Sequence, residues 1–328
     1  MVAALETEQR EECVLLHGLD LDRMKASLPA AESCSGFFLE GILLMTGIQK
    51  SDPNGDLKIG ELPELHMAAL DDVVLHEDPD MERVARLVDR FSADGILKNP
   101  PVVGRSKGHR RIVLDGANRV TALRKLGYSH VLVQEMDLFD PGLTLGTWHH
   151  AIEHLTPQEL LDHAASIEGI TFREEDEDAP ISLPKLARFH FTDGRVVSLE
   201  GANDLDRRVL QLHGLTRVYH RFANFDRVSY TNVKDLRRNY TNFTALLSFR
   251  PFTLEDLQDL THWDRRVPSG VTRVLLPKRA LRFNLQLEML RAGLSLEDKE
   301  SWLQQTILEK VGDKSIRFYR EPTFFFDE

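Results

Sequence analysis

An α/β (α+β) fold in two parts follows from three observations in a chain of 328 residues. Apolar strand-like runs alternate with helical patterns over residues 70–140, which predicts one compact α/β unit. Short strands and helices return in mixed order from residue 181, beyond a linker at Asp140-Pro141-Gly142. No repeat period stands out in either part. The predicted organisation is an extension over 1–61, a domain over 62–140, and a mixed α/β C-terminal domain over 141–328.

Composition narrows the function classes. An apolar share of 42% is enough for a sizeable core, and a formal net charge of −11 argues against a protein that binds by neutralising nucleic-acid phosphates. A nucleic-acid partner is therefore not expected. Cys13 and Cys34 are the two cysteines, without CxxC spacing, which suits a reducing cytoplasmic location and offers no thiolate metal site. The start of the chain is acidic where a signal peptide would be basic, and the apolar run 36–48 is interrupted by Glu40 and too short for a bilayer, so no membrane segment is expected. That run, with Phe37, Phe38, Ile42 and Leu43, reads as a helix packed on the body or on a second subunit, which would make a homodimer.

The first unit opens with a short strand entry over 69–74 and reaches Leu75-His76-Glu77-Asp78-Pro79, where Asp78 is expected to cap a helix with Pro79 in its first position. Val84, Leu87, Val88 and Phe91 then form one face of that helix, which should stop near Asp94-Gly95. Pro100-Pro101 stiffen the loop into the next strand, and Ser106-Lys107-Gly108 reads as a hairpin turn. Residues 111–114 are apolar and β-branched enough for a buried strand. Asp115-Gly116 is turn chemistry, and Val120, Leu123 and Leu126 recur at helical spacing until Gly127. Residues 131–134 supply a further strand.

In the second part a helix is expected to carry His149, His150 and His154. His150 and His154 are spaced i, i+4 as a metal or haem pair would be, but no third ligand is marked, and the reading is an ordinary solvated helix. The acidic run 174–178 reads as a solvated loop. Strands are expected over 187–191 and 196–199 around Thr192-Asp193-Gly194-Arg195, with a helix over 205–212. The aromatic and basic residues from Arg217 to Phe222, and Asn239-Tyr240, read as cross-strand packing rather than RNA-binding texture. Pro268-Ser269-Gly270-Val271-Thr272-Arg273 leads into a strand that Arg279 and Arg282 follow, and the chain closes on an aromatic tail over 317–328.

Two of these places can carry chemistry. The first N–H groups of the helix after Asp115-Gly116 lack intrahelical partners and sit at the positive end of its dipole, so an anion can dock there; the plainer alternative is a cap by Asp115 or Asn118, worth about 0.5–2 kcal/mol. Gly270, Thr272 and Arg273 offer a small residue, a hydroxyl and a guanidinium, a set that can hold phosphate oxygens. Glu77, taken alone, is a first-turn acid at a helix N-terminus, worth about 0.3–1 kcal/mol.

The succession His76-Glu77, then Asp94-Gly95 with Asn99-Pro100-Pro101-Val102, then Leu114-Asp115-Gly116 with Asn118-Arg119 and Leu126-Gly127, resembles the ParB/sulfiredoxin-like fold. Within it the chain is most similar to the free L-serine kinases, including the siderophore-precursor branch, over about residues 62–328. The resemblance implies an amino-acid kinase, a phosphotransferase with an alcohol acceptor, that uses ATP or ADP and Mg²⁺ to make O-phospho-L-serine. It implies Glu77 as the base that takes the hydroxyl proton, and Asp115 as a catalytic and metal-holding carboxylate. Asn99, Gly116, Ala117, Asn118, Arg119, Thr121, Gly270, Thr272 and Arg273 would surround the nucleotide phosphates, and His76 the substrate. The chain departs from the pattern in one place. The related kinases usually carry two histidines after Asp-Gly, where Ala117 and Asn118 stand here, so either the donors come from elsewhere, such as Arg119 or His109, or the substrate differs, or catalysis has been lost. The alternative reading is a ParB-like nucleotide- or DNA-binding regulator without kinase activity. Sulfiredoxin-like repair would need a reactive cysteine beside the Gly-rich turn, and neither Cys13 nor Cys34 is near it in sequence.

Overall fold

The computed structural model describes residues 62–105, 110–176 and 180–319. The expected extension with Cys13, Cys34 and the apolar run, the turn at 106–108 with His109, residues 177–179 and the last part of the aromatic tail lie outside the described residues. The protein is a mixed α/β fold. Residues 63–291 form one compact unit, and 292–319 belong to a second.

The first sheet has five strands. Glu64–Ala69 (β1) is followed by a single 3-10 turn, Leu70–Asp72, and then by Val73–Leu75 (β2). A helix, Met81–Asp94 (α1), precedes the two-residue strand Ile96–Leu97 (β3) and Val102–Arg105 (β4). Arg111–Asp115 (β5), Ala117–Lys125 (α2) and His130–Asp137 (β6) complete the region. The order is β1-β6-β4-β5-β2, with β2 and β5 adjacent and parallel so that Leu75 lies opposite Val113. Each is followed by a helix, β5 after Gly116 alone and β2 after residues 76–80. Their carboxyl ends therefore place two strand-to-helix junctions side by side, the position at which α/β sheets bind ligands.

Asp80, rather than Asp78, caps α1: its side chain accepts the N–H groups of Glu82 and Arg83. Asp78 and Pro79 both lie before the cap, outside the helix, with the Asp78 N–H bonded to Val267 O beside the bridge that pairs Glu77 with Val267. Gly95 ends α1 in the left-handed conformation that favours glycine, at φ 65°. Val84, Phe91, Val120 and Leu123 are all buried where α1 and α2 pack against each other and the sheet.

The second sheet has six antiparallel strands. Thr144–Thr147 (β7) precedes it in the chain but lies in a separate two-stranded sheet, and is followed by His149–Glu153 (β8), Pro157–Ala165 (α3) and Thr171–Glu174 (β9). Then come Lys185–Phe191 (β10), Val196–Glu200 (β11), Leu205–Phe222 (α4), Asn224–Val228 (β12), Val233–Asn239 (α5), Phe243–Phe249 (β13) and Leu254–His262 (α6). The order is β12-β8-β13-β10-β11-β9. Phe189, Phe191, Phe249, Leu212, Leu215 and Tyr219 fill its core. Thr272–Leu275 (β14) pairs with β7, and Leu285–Gln286 (β15) pairs with β3 before Leu287–Arg291 (α7). In the second unit, Ser295 forms a capping box with Asp298 and starts Leu296–Gly312 (α8).

Three expectations for this part are corrected. Residues 149–153 are a strand, not a helix, and His154 stands beyond it at φ 69°, so His150 and His154 do not share a face as a ligand pair. Arg217 to Phe222 belong to the end of α4 rather than to a strand. Glu175 is not a solvated loop acid: its carboxylate pairs with Lys185 and Arg188 and accepts the Ser198 hydroxyl.

Candidate active site

The two junctions beyond β2 and β5 bring together most of the residues expected to carry chemistry. At the first, Val267 N–H donates to His76 O and Asp78 N–H donates to Val267 O, which pins the backbone on both sides of Glu77. The Glu77 Oε2 then accepts the Thr272 hydroxyl at 2.5 Å and the Thr272 N–H at 3.3 Å. Residues 77 and 272 are thus joined across most of the unit. Oε1 accepts no hydrogen bond among the described residues.

His76 is only 3% exposed. Its Nδ1 lies 2.5 Å from Val113 O and its Nε2 2.9 Å from Thr272 Oγ1, so both ring nitrogens are engaged by the protein and neither is left for a substrate. Burial holds the ring below its ordinary value, against the opposing pull of the Glu77 charge and the Val113 carbonyl.

At the second junction Gly116 precedes α2 at φ 104°, a conformation that favours glycine. A Cβ there would come within 2.9 Å of Pro101 and 3.0 Å of the Arg119 guanidinium. No side chain caps α2, which corrects the expectation of a cap by Asp115 or Asn118. Asn118 Oδ1 instead accepts the Asp80 N–H at 2.8 Å, tying the two helix starts together and leaving its NH₂ group as a donor. Ala117 opens the helix, and the Thr121 hydroxyl donates back to Ala117 O, which turns it away from any phosphate.

Asp115 is the charged centre of this side. Its Oδ2 accepts from Arg119 at 2.5 Å and also from Arg279, while Oδ1 accepts no hydrogen bond among the described residues. Burial alone would push this carboxyl up, but the two guanidinium groups outweigh it and hold the group below the usual carboxylate range. Arg119 also donates to Asn99 O at 2.8 Å and Pro100 O at 3.2 Å, so it is largely a structural clamp. The Asn99 side chain accepts the Arg282 N–H. Buried Gln134 positions Arg279, because its amide donates to Lys278 O and accepts from Ala280 N–H, on either side of that residue.

The remaining expected residues fall elsewhere. Arg273 stacks over Trp148, 4.5 Å from the ring centre, and it is Arg279 rather than Arg273 that shares a partner with Arg119. Gly270 stands at φ 80°, and the Arg227 guanidinium occupies the place where a Cβ would be, within 2.0 Å, so both backbone and space call for glycine. Its carbonyl accepts from His150 Nε2 at 2.8 Å, and the Tyr219 hydroxyl donates to His150 Nδ1 at 2.6 Å. Burial pulls the His150 ring down to about 3, so it stays neutral in this chain. The sequence did not mark Arg227, whose guanidinium, among the described residues, donates to the Ser269 hydroxyl and has no ion-pair partner. Burial lowers its basicity while the Glu77 and Asp80 charges work the other way.

No helix among the described residues is long and apolar enough to cross a membrane. No cluster of three His, Cys, Asp or Glu that could cage a metal ion occurs among them either.

No family model matches the sequence. A Staphylococcus aureus protein named ATP-dependent L-serine kinase SbnI is 23% identical over 265 residues, covering 80% of this chain and 97% of the relative. An ATP-dependent L-serine kinase of Staphylothermus marinus is 31% identical over 124 residues, 37% of this chain and 48% of the relative. Among solved structures, C-terminally truncated SbnI from Staphylococcus aureus superposes with a TM-score of 0.62 at 19% identity, over 77% of this chain and 97% of that one. A free serine kinase variant in complex with AMP gives 0.61 at 16% identity, over 74% and 98%. The fold is theirs.

Proposed function

We propose that this chain is a free L-serine kinase, which transfers the γ-phosphoryl group of ATP to the side-chain hydroxyl of L-serine to give O-phospho-L-serine and ADP. Its homologues carry that activity in their names, and the ATP-dependent ones favour ATP over ADP as the donor. The observation that carries the reading is the Glu77 carboxylate, fixed through Oε2 to Thr272 with Oε1 open, at a junction beside the one that holds Asp115, Arg119 and Arg279.

Phosphoryl transfer to an alcohol is mostly positioning and charge stabilisation, with a base for the hydroxyl proton. Glu77 takes that proton as the acceptor oxygen attacks phosphorus in line with the departing ADP. The uncapped start of α2, the Asn118 NH₂ group and Arg279 receive the phosphates, replacing the two histidines that relatives usually carry after Asp-Gly. Arg227 lies near enough to feel the Glu77 charge and lacks a carboxylate partner, which suits it to the acceptor's α-carboxylate. Mg²⁺ fits the donors present: one open carboxylate oxygen of Asp115 is a typical protein share when phosphates and water complete the octahedron. Bound there, the ion would neutralise charge on the transferring group. The place of action is the cytoplasm, in keeping with the sparse cysteines. The rival reading as a DNA-binding regulator has the net charge of −11 against it.

Purified protein given L-serine, Mg²⁺ and ATP should produce phosphoserine, followed by ³¹P NMR, with ADP as donor the weaker. Absence of product with either nucleotide across L-serine, L-threonine and L-homoserine refutes the proposal.

A further inference from the structure

We propose that His76 and Thr272 tune Glu77 as a base by competing for one proton, so that Glu77 is better accommodated once it has taken the acceptor's proton. The proposal rests on the kinase reading of Glu77.

A count of protons along the chain Val113–His76–Thr272–Glu77 carries it. The Val113 carbonyl can only accept, so the His76 nitrogen 2.5 Å away, Nδ1, bears the hydrogen. In the neutral ring Nε2 is then a bare acceptor, and it faces Thr272 Oγ1 at 2.9 Å. The same oxygen lies 2.5 Å from Glu77 Oε2. A threonine hydroxyl has one hydrogen, and here it meets two acceptors. His76 is 3% and Thr272 8% exposed, so water does not supply the missing donor. While Glu77 is ionised, one acceptor goes short.

Protonation of Glu77 removes the conflict. Its carboxyl can donate to Thr272 Oγ1, the hydroxyl turns to His76 Nε2, and Nδ1–H stays on Val113, one proton for each link. A proton taken at Oε1 instead leaves Oε2 a neutral, weaker acceptor that still holds the Thr272 N–H, so the hydroxyl can turn to His76 Nε2 at lower cost than while Glu77 is ionised. In the transfer step the acceptor O–H bond breaks and its proton goes to Glu77. The acceptor oxygen bonds to the γ-phosphorus, and the bond from that phosphorus to the bridging oxygen breaks with its electron pair leaving on ADP. His76 keeps its charge throughout, so it is a positioning residue. The burial that holds the ring below its ordinary value supports its neutrality. Arg227 is a further charge facing Glu77, with Asp80 and Arg83 beside it, and all three are unchanged in the variants below.

The test is the pH dependence of kcat, whose acid limb reports ionisation of the base. His76→Leu leaves the Thr272 proton wholly to Glu77, which favours the charged carboxylate, so the acid limb should move to lower pH. Thr272→Val removes that donor, and the limb should move to higher pH, while Thr272→Ser should restore it. A severalfold change in rate on the limb is the worth of one hydrogen bond, with KM for ATP unchanged. Shifts of both variants in one direction, a His76→Leu limb at higher pH, or no shift overturns the proposal. The ¹⁵N spectrum of the His76 ring decides independently: a protonated Nδ1 with a bare Nε2 near pH 7 supports it, and a doubly protonated ring contradicts it. If His76→Leu does not fold, the two Thr272 variants and the spectrum remain. If the wild type makes no phosphoserine the kinase reading falls, and the spectrum still decides the state of the ring.

Discussion

The two neighbouring junctions treat their carboxylates in opposite ways. Asp115 is met by two arginines on a single oxygen, so its charge is balanced within the protein. Glu77 is met by a hydroxyl and a backbone N–H, both neutral, and keeps an open oxygen. A balanced carboxylate suits a scaffold that organises phosphates and a cation, whereas one held by neutral donors on one oxygen has the other free to take a proton. The sheet places the two a strand apart.

The largest test of that contrast is at Glu77. Replacement by Gln should lower kcat by about 10²–10⁴-fold, the usual worth of a general base, while Glu82→Gln on the exposed first turn of α1 should change it little. Comparable losses at both positions would erase the distinction. Arg279 and Arg119 sharpen the other side. Arg279→Met should weaken nucleotide binding roughly tenfold to hundredfold, as loss of a charge-assisted hydrogen bond would, with little change in Tm because its ion pair is partly exposed. Arg119→Met should lower Tm instead, since it strips donors from Asn99 O, Pro100 O and Asp115 together. Calorimetric titration with AMP and thermal unfolding separate the two.

Arg227 probes the acceptor side. Arg227→Gln should raise KM for L-serine about tenfold or more yet leave turnover of L-serinamide, which lacks the carboxylate, nearly unchanged. Equal effects on both acceptors would make Arg227 a packing residue only. The smallest effect is on stability. His150 is ordinarily half-protonated at 6.5 but in the fold only at about 3. Between those values the unfolded chain binds the extra proton, so stability is full above about pH 6.5 and is lost as pH falls, by at most ~1.4 kcal/mol per unit. Urea unfolding at pH 7 and pH 5 should show a smaller loss in His150→Leu than in the wild type, the remainder coming from the other buried rings, His76, His149 and His220.

Much of the first unit is legible in the sequence because its signals are local. The 84, 87, 88, 91 spacing, the glycine at 95 and the Asp-Gly turn each mark an element boundary through backbone chemistry. Asp78 misleads because it and Asp80 flank the same proline, and the helix starts after the second of them rather than the first. His149 to Glu153 misleads for a different reason: a central strand whose middle residues are buried loses the polar alternation that marks strands, so an i, i+4 histidine spacing looked helical. The long helix through Tyr219 extends past residue 212 on the apolar spacing of Val209, Leu212 and Leu215, which the basic and aromatic residues that follow obscure. At the site, Glu77 and Asp115 follow recognisable strand ends, whereas Arg279 and Arg227 have no local pattern. Their places come from Gln134, more than 140 residues away in sequence from the segment it holds, and from the fit of a guanidinium against Gly270.

The central claim is that Glu77 performs chemistry rather than binding. Parallel measurement of AMP affinity and of phosphoserine formation in the wild type and Glu77→Gln tests it most directly. The account predicts unchanged AMP affinity with phosphoserine formation nearly abolished. Retained phosphoserine formation in Glu77→Gln would contradict it.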